Sequence, residues 1–79
     1  MTIFSRHARN RIRRDKVTEA DAEKCIGSPE FERAQAGGIM EAWTTYREGF
    51  LKVVYDPLES NTFVITVTVK KQRPDWARS

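Results

Sequence analysis

Cysteine and histidine each occur once among the 79 residues, as Cys25 and His7, and each scarcity removes a class of protein. A single thiol forms no intrachain disulfide, so the framework that staples small secreted domains is excluded. One thiol and one imidazole also leave no zinc site of ordinary ligand spacing within the chain. The acids are scattered, without the DxD-type cluster that a two-metal nuclease needs. Glycine is scarce, and Gly37-Gly38 reads as a hairpin signal rather than a phosphate-cradling loop. No nucleophile elbow is present, no apolar run resembles a signal peptide, and none approaches the length of a membrane span. These absences predict a cytoplasmic protein with no membrane partner. Any catalysis is expected to run without a metal or bound cofactor, on cations, hydroxyls and one imidazole.

What is present is a modest core and an uneven charge. The 39% apolar content suits one small α+β domain near the size where a single core is marginally stabilising, which leaves room for a homodimer or a folded partner. The net charge is +3, but residues 1–17 carry +5, residues 18–32 carry −4 and the last eighteen residues carry +3. Two basic ends around an acidic middle suggest a polyanion, most simply nucleic acid.

The first basic end, FSRHARNRIRRDK, predicts a helix over about residues 4–15. At about 100° per residue, Phe4, Ala8 and Ile12 form an apolar stripe, and Arg6, Arg9 and Arg13 face water. His7, Arg11 and Arg14 line one border of the stripe, shielded yet reachable. A second helix is expected over about 19–27. Thr18 is its N-cap, Asp21 closes an approximate capping box, and Val17 and Ala22 are placed for a weak hydrophobic staple. Cys25 reads as a small core residue, and Gly27-Ser28-Pro29 ends the helix. Strands follow over about 31–36, 39–47, 50–56 and 62–70, joined at Gly37-Gly38, at Glu48-Gly49 and through residues 57–61. In the third, Leu51, Val53 and Tyr55 share a face. In the fourth, Phe63, Ile65, Val67 and Val69 are expected to point one way. The result is two N-terminal helices packed on a four-stranded antiparallel sheet, followed by an irregular tail over 71–79, where Trp76 either pins the tail to the body, the favoured expectation, or stands exposed as a stacking residue.

That inventory suits metal-independent cleavage of RNA through its own 2′-hydroxyl, which needs a proton carrier and cations around the phosphorus. His7 is the candidate for proton transfer. Arg11 and Arg14 are candidates for gripping the phosphate, since a guanidinium holds it with two hydrogen bonds. Arg6, Lys52, Lys70 and Lys71 are further candidates for contacting the nucleic acid, although periodicity does not fix which side of the sheet Lys52, Lys70 and Tyr55 face. The plainer alternative has His7 and Arg11 packing over the sheet edge and pairing with acids of the second helix.

The run FSRHARNRIRRDKVTEADAEKCIGSPE also resembles the opening signature of the small bacterial domain of unknown function 4258 family. The matching features are Phe4, His7-Ala8, Arg11, Arg14, the Val17-Thr18-Glu19 helix start and Pro29. LKVVYD and TFVITVTV resemble that family's closing strands. The resemblance implies a compact fold similar to RelE and BrnT toxins, toxin–antitoxin surroundings and metal-independent ribonuclease activity. It implies RNA as the partner, free or ribosome-associated, with an antitoxin protein as a second partner. His7 and Arg11 carry over as catalytic residues, with Arg14 beside them. The departure is KKQRPDWARS, longer and more basic than the usual ending. The competing expectation is a non-catalytic module that binds nucleic acid or protein through the basic first helix.

Overall fold

The computed structural model describes residues 1–77. Two helices lie against one face of a five-stranded mixed sheet, so the α+β expectation stands and the four-stranded antiparallel sheet is corrected. The added strand is β1, Thr2–Phe4, which pairs in parallel with the last strand, Phe4 opposite Val64. Helix α1 therefore begins at Arg6 and runs to Asp15, and Phe4 belongs to the strand before it. Ser5 divides the two. Its hydroxyl accepts the Ala8 N–H at 3.0 Å as an N-cap and donates to the Ile65 carbonyl at 2.7 Å. One side chain thus starts the helix and ties it to the sheet. Ser5→Ala should lower stability by about 1–2 kcal/mol in urea unfolding. Phe4, Ala8 and Ile12 are all buried as expected, the first reaching the core from a strand.

Helix α1 ends in a Schellman motif. Lys16 adopts the left-handed conformation, Val17 N–H reaches the Ile12 carbonyl at 2.9 Å, and Val17 and Ile12 are both buried. Arg47 caps the same end from the sheet, donating to the Asp15 and Lys16 carbonyls at 3.1 and 2.5 Å. Helix α2, Glu19–Gly27, opens on the expected capping box. Asp21 N–H donates to Thr18 Oγ1 at 3.0 Å, and Thr18 N–H to Asp21 Oδ2 at 3.3 Å. Asp21 also accepts the Tyr46 hydroxyl at 2.7 Å, and that bond is the main reason its carboxyl is held below the usual range. Cys25 is fully buried, and desolvation pushes its thiol up to about 12, as suits a core residue.

The remaining strands are β2 (Phe31–Ala34), β3 (Met40–Tyr46), β4 (Gly49–Pro57) and β5 (Thr62–Lys70), in the order β1-β5-β4-β3-β2. Two turns differ from expectation. Between β2 and β3 the chain makes a 3-10 turn at Ala36–Gly38, with Gly37 and Gly38 both at positive φ, so the loop is longer than the glycine pair alone. Between β3 and β4 the closing pair is Tyr46 with Gly49, which moves the turn to Arg47-Glu48. Gly49 lies against β5, and a Cβ there would fall on the Lys70 carbonyl oxygen. Gly49→Ala should force the strand ends apart and cost about 1–3 kcal/mol, read as a lower urea midpoint.

The core lies between the helices and the face bearing Ala42, Leu51, Val53, Tyr55, Val64 and Val67. Leu51, Val53 and Tyr55 share it as their alternation predicts. Strand β5 does not alternate throughout. Val54 pairs with Thr66 and Tyr55 with Val64, so Ile65 bulges out of the ladder. The phase changes there, which puts Val64 and Val67 on the core side together and corrects the expected grouping of Phe63 and Ile65 with Val67. The other sheet face carries no helix. Instead the chain after β5 turns back across it, with Pro74 buried and Asp75–Ala77 forming a last 3-10 turn. Arg78 and Ser79 of the expected tail lie outside the described residues.

Candidate functional site

The sequence candidates fall into two groups on opposite sides of the sheet. Arg6, His7 and Arg14 are exposed on α1, and Arg11 is half-buried, its Nε inside without a hydrogen-bond partner. Among the described residues the only ion pair made by α1 is internal, Arg14 Nε to Asp15 Oδ1 at 3.4 Å. The alternative in which this helix pairs with acids of α2 is therefore not realised. Lys52 and Lys70 point the other way. Lys52 stands opposite Trp43, and Lys70 opposite Phe50, on the face without helices. Lys71 follows on that side. Tyr55 faces the core side and donates its hydroxyl to Glu32 Oε2 at 3.0 Å; burial first, then Glu32, pushes the phenol up to about 12. The structure does not bring these lysines or Tyr55 together with His7, Arg11 and Arg14.

On the helix-free face the pleat collects Arg33 from β2, Glu41 and Trp43 from β3, Lys52 from β4 and Lys70 from β5. The returning segment from Lys71 to Trp76 supplies the second wall of a groove of about 890 Å³. Arg33, Lys52, Lys70, Lys71 and Arg73 line it against only Glu41 and Asp75. The surplus of three positive charges equals that of the whole chain.

Glu41 organises the groove. It is 2% exposed, on a sheet face where a carboxylate would ordinarily reach water. Its Oε2 accepts the Trp43 indole N–H at 2.6 Å and the Trp76 indole N–H at 3.1 Å. Its Oε1 accepts Gln35 Nε2 at 2.5 Å and Arg33 Nη2 at 3.4 Å. Burial pushes this carboxyl up, but the indole and amide donors, with Lys52 nearby, outweigh it and hold the group below the usual range. Around this centre the Arg33 guanidinium lies 4.8 Å from the Trp76 ring centroid, and the Lys52 ammonium 5.7 Å from that of Trp43.

This arrangement is suited to holding phosphate. Lys52, Lys70, Lys71 and Arg73 offer cations on a wall and floor kept in shape by saturated hydrogen bonds. Glu41, with four donors on two oxygens, is occupied as an acceptor and is a structural anion rather than a free base. Sequence reasoning found Lys52, Lys70 and Lys71 but missed Arg33, Glu41, Trp43 and Arg73. The signal was a shared strand parity, which becomes readable only once the pairing of Arg33 with Glu41 and of Trp43 with Lys52 is known.

A family model described as "Domain of unknown function (DUF4258)" matches residues 4–69. No curated protein and no solved structure matches the chain. The matched span includes Arg33, Glu41, Trp43 and Lys52 and stops before Lys70 and the returning segment.

Proposed function

The chain belongs to the family of Domain of unknown function (DUF4258), and from that premise we propose that it is a metal-independent RNA-cleaving protein of the toxin–antitoxin kind. In this reading the RNA strand lies in the basic groove on the helix-free face. The observation that carries it is the clustering of Lys52, Lys70, Lys71 and Arg73 in one open groove floored by Trp43. In cleavage through the 2′-hydroxyl, O2′ bonds to phosphorus and its proton passes to water in the open groove, while the protein stabilises charge building on the phosphorus and protonates the 5′-oxygen as the P–O5′ bond breaks. The Lys52 ammonium stands on the groove floor and serves both needs, while Lys70 and Arg73 hold flanking phosphates. His7 lies on α1, across the sheet, and takes no part in a reaction at this groove. The relation to RelE and BrnT toxins and the antitoxin partner belong to the same proposal.

A second reading places the interaction on α1, where Arg6, His7, Arg9 and Arg13 are exposed and make no ion pair with another element among the described residues. It predicts a binding module, or cleavage that depends on His7 and Arg11.

The two are separated by expressing and purifying three forms: Lys52→Ala/Lys70→Ala/Arg73→Ala, Arg6→Ala/Arg9→Ala/Arg13→Ala, and His7→Ala. The groove reading expects growth arrest and RNA cleavage to be lost in the first alone. Loss in His7→Ala moves the site to α1. Absence of cleavage by the unsubstituted protein, on free or ribosome-bound RNA, removes the enzymatic reading.

A further inference from the structure

We infer that Glu41 is the positioning residue of the groove: it clasps the C-terminal strap, residues 71–77, across the sheet and thereby sets Lys71 and Arg73 over the strand-binding surface. The inference rests on the RNA reading for the identity of the ligand, a single-stranded polyphosphate chain, but not for the clasp itself.

The four donors to Glu41 come from four places: β2 through Arg33, the turn after it through Gln35, β3 through Trp43, and the strap through Trp76. Three belong to the sheet and its turn, and would hold the carboxylate without the strap. The fourth is the strap's one side-chain hydrogen bond to the sheet among the described residues. Its backbone bond, from Ala77 N–H to the Pro74 carbonyl, is local and anchors nothing. Pro74 is buried and the Trp76 ring stacks with Arg33, so the strap is held at its far end, beyond the two cations it carries. Lys71 and Arg73 are thus suspended between the end of β5 and the Trp76 anchor, both exposed. Freed at Trp76, they leave the groove wall.

The clasp requires a carboxylate. Oε2 receives two indole N–H groups, and Oε1 an amide and a guanidinium. A carboxamide of the same shape has one acceptor oxygen, and its NH₂ would face two donors whichever way it turned. Glu41→Gln therefore unmakes half the clasp while keeping its volume. The family match ends at residue 69, so it covers Arg33, Glu41, Trp43 and Lys52 of the groove but not Lys70 or the strap.

The test uses the full chain as Glu41→Gln, as Trp76→Phe (which removes only the strap's N–H) and unsubstituted. Hydrogen exchange in the strap, read at the Ala77 amide that closes the turn carrying Trp76, reports the clasp, and binding of a fluorescent uridine dodecamer across a salt series reads the grip. Single-strand binding loses about 0.7 in the slope of log K against log salt for each phosphate contact removed. Loss of the Lys71 and Arg73 contacts should flatten the slope by about 1.4 and weaken binding roughly 25-fold at 0.1 M salt. Faster exchange in the strap, with the flattened slope, is the expected result in both variants. If Glu41→Gln does not fold, Trp76→Phe decides. Unchanged strap exchange overturns the clasp. Faster exchange with an unaltered slope overturns the positioning role. A protein that binds no RNA in any form overturns the RNA reading and the grip with it, while the exchange measurement still decides the clasp.

Discussion

Glu41→Ala is expected to lower stability by about 2–4 kcal/mol, the largest single-residue loss on the helix-free face. The cost comes from the donors left behind. Trp43 is 6% exposed, so its indole N–H loses its only acceptor in a place water reaches poorly. Gln35 and Arg33 are more exposed and recover part of their bonding from solvent. Folded domains are stable by roughly 5–15 kcal/mol, and one of this size sits at the low end, so the loss should be plain in the urea midpoint. The effect also has a pH signature. Burial pushes the Glu41 carboxyl up, the donors pull it further down, and its folded-state value lies below the ordinary glutamate value of 4.5. A carboxylate depressed by folding contributes stability that is fully present above the unfolded value. That contribution disappears as pH falls through the folded value. Asp21, lowered chiefly by Tyr46, works in the same direction. The unsubstituted protein should therefore weaken steeply below about pH 4.5, and Glu41→Ala should show a shallower decline over the same range. An equal acid slope in both proteins would assign the buried carboxylate no part in acid unfolding.

The features legible in the sequence are those whose causes are local. The Thr18–Asp21 capping box, the Leu51-Val53-Tyr55 alternation and the burial of Cys25 each follow from neighbours a few residues apart, and each is present. Trp76 as the pin of the tail was also legible, because an indole in a short charged tail has little else to pack on. Strand β1 was not. Three residues carry no period, and they are extended because Phe63 and Val64, far along the chain, pair with them. The alternation of β5 misled for a related reason, since the bulge at Ile65 is set by pairing with Val54 and Tyr55 and leaves no mark in TFVITVTV. The candidate site divided in the same way. The His7, Arg11 and Arg14 row was read from helical spacing, and α1 carries all three. Lys52, Lys70 and Lys71 were found as charges without a side. Glu41 looked like one more acid in a strand until the register set it beside Arg33, Trp43 and Trp76.

Replacing Lys52, Lys70 and Arg73 together by alanine should weaken single-stranded RNA binding about a hundredfold at 0.1 M salt and flatten the salt slope by about 2. The figures follow from counterion release. Three phosphate contacts at about 0.7 each account for the slope, and the same exponent taken at 0.1 M gives the loss of affinity. Removing Arg6, Arg9 and Arg13 takes away the same number of charges from α1, on the other side of a molecule 18 Å through its thinnest dimension. A strand held in the groove does not meet that face, so its slope should stay within about 0.5 of the unsubstituted value once the general loss of positive charge is allowed for. The comparison is informative because both variants leave the same net charge. A difference between them reports where the phosphates sit rather than how many cations the protein has. Equal flattening in both would mean a diffuse field with no groove, and flattening confined to the α1 variant would put the strand on the helix. Cleavage discriminates more sharply than binding. Charge stabilisation at the reacting phosphorus commonly contributes about 10²–10³ in rate per group, so Lys52→Ala alone should reduce turnover by that order while His7→Ala leaves it unchanged.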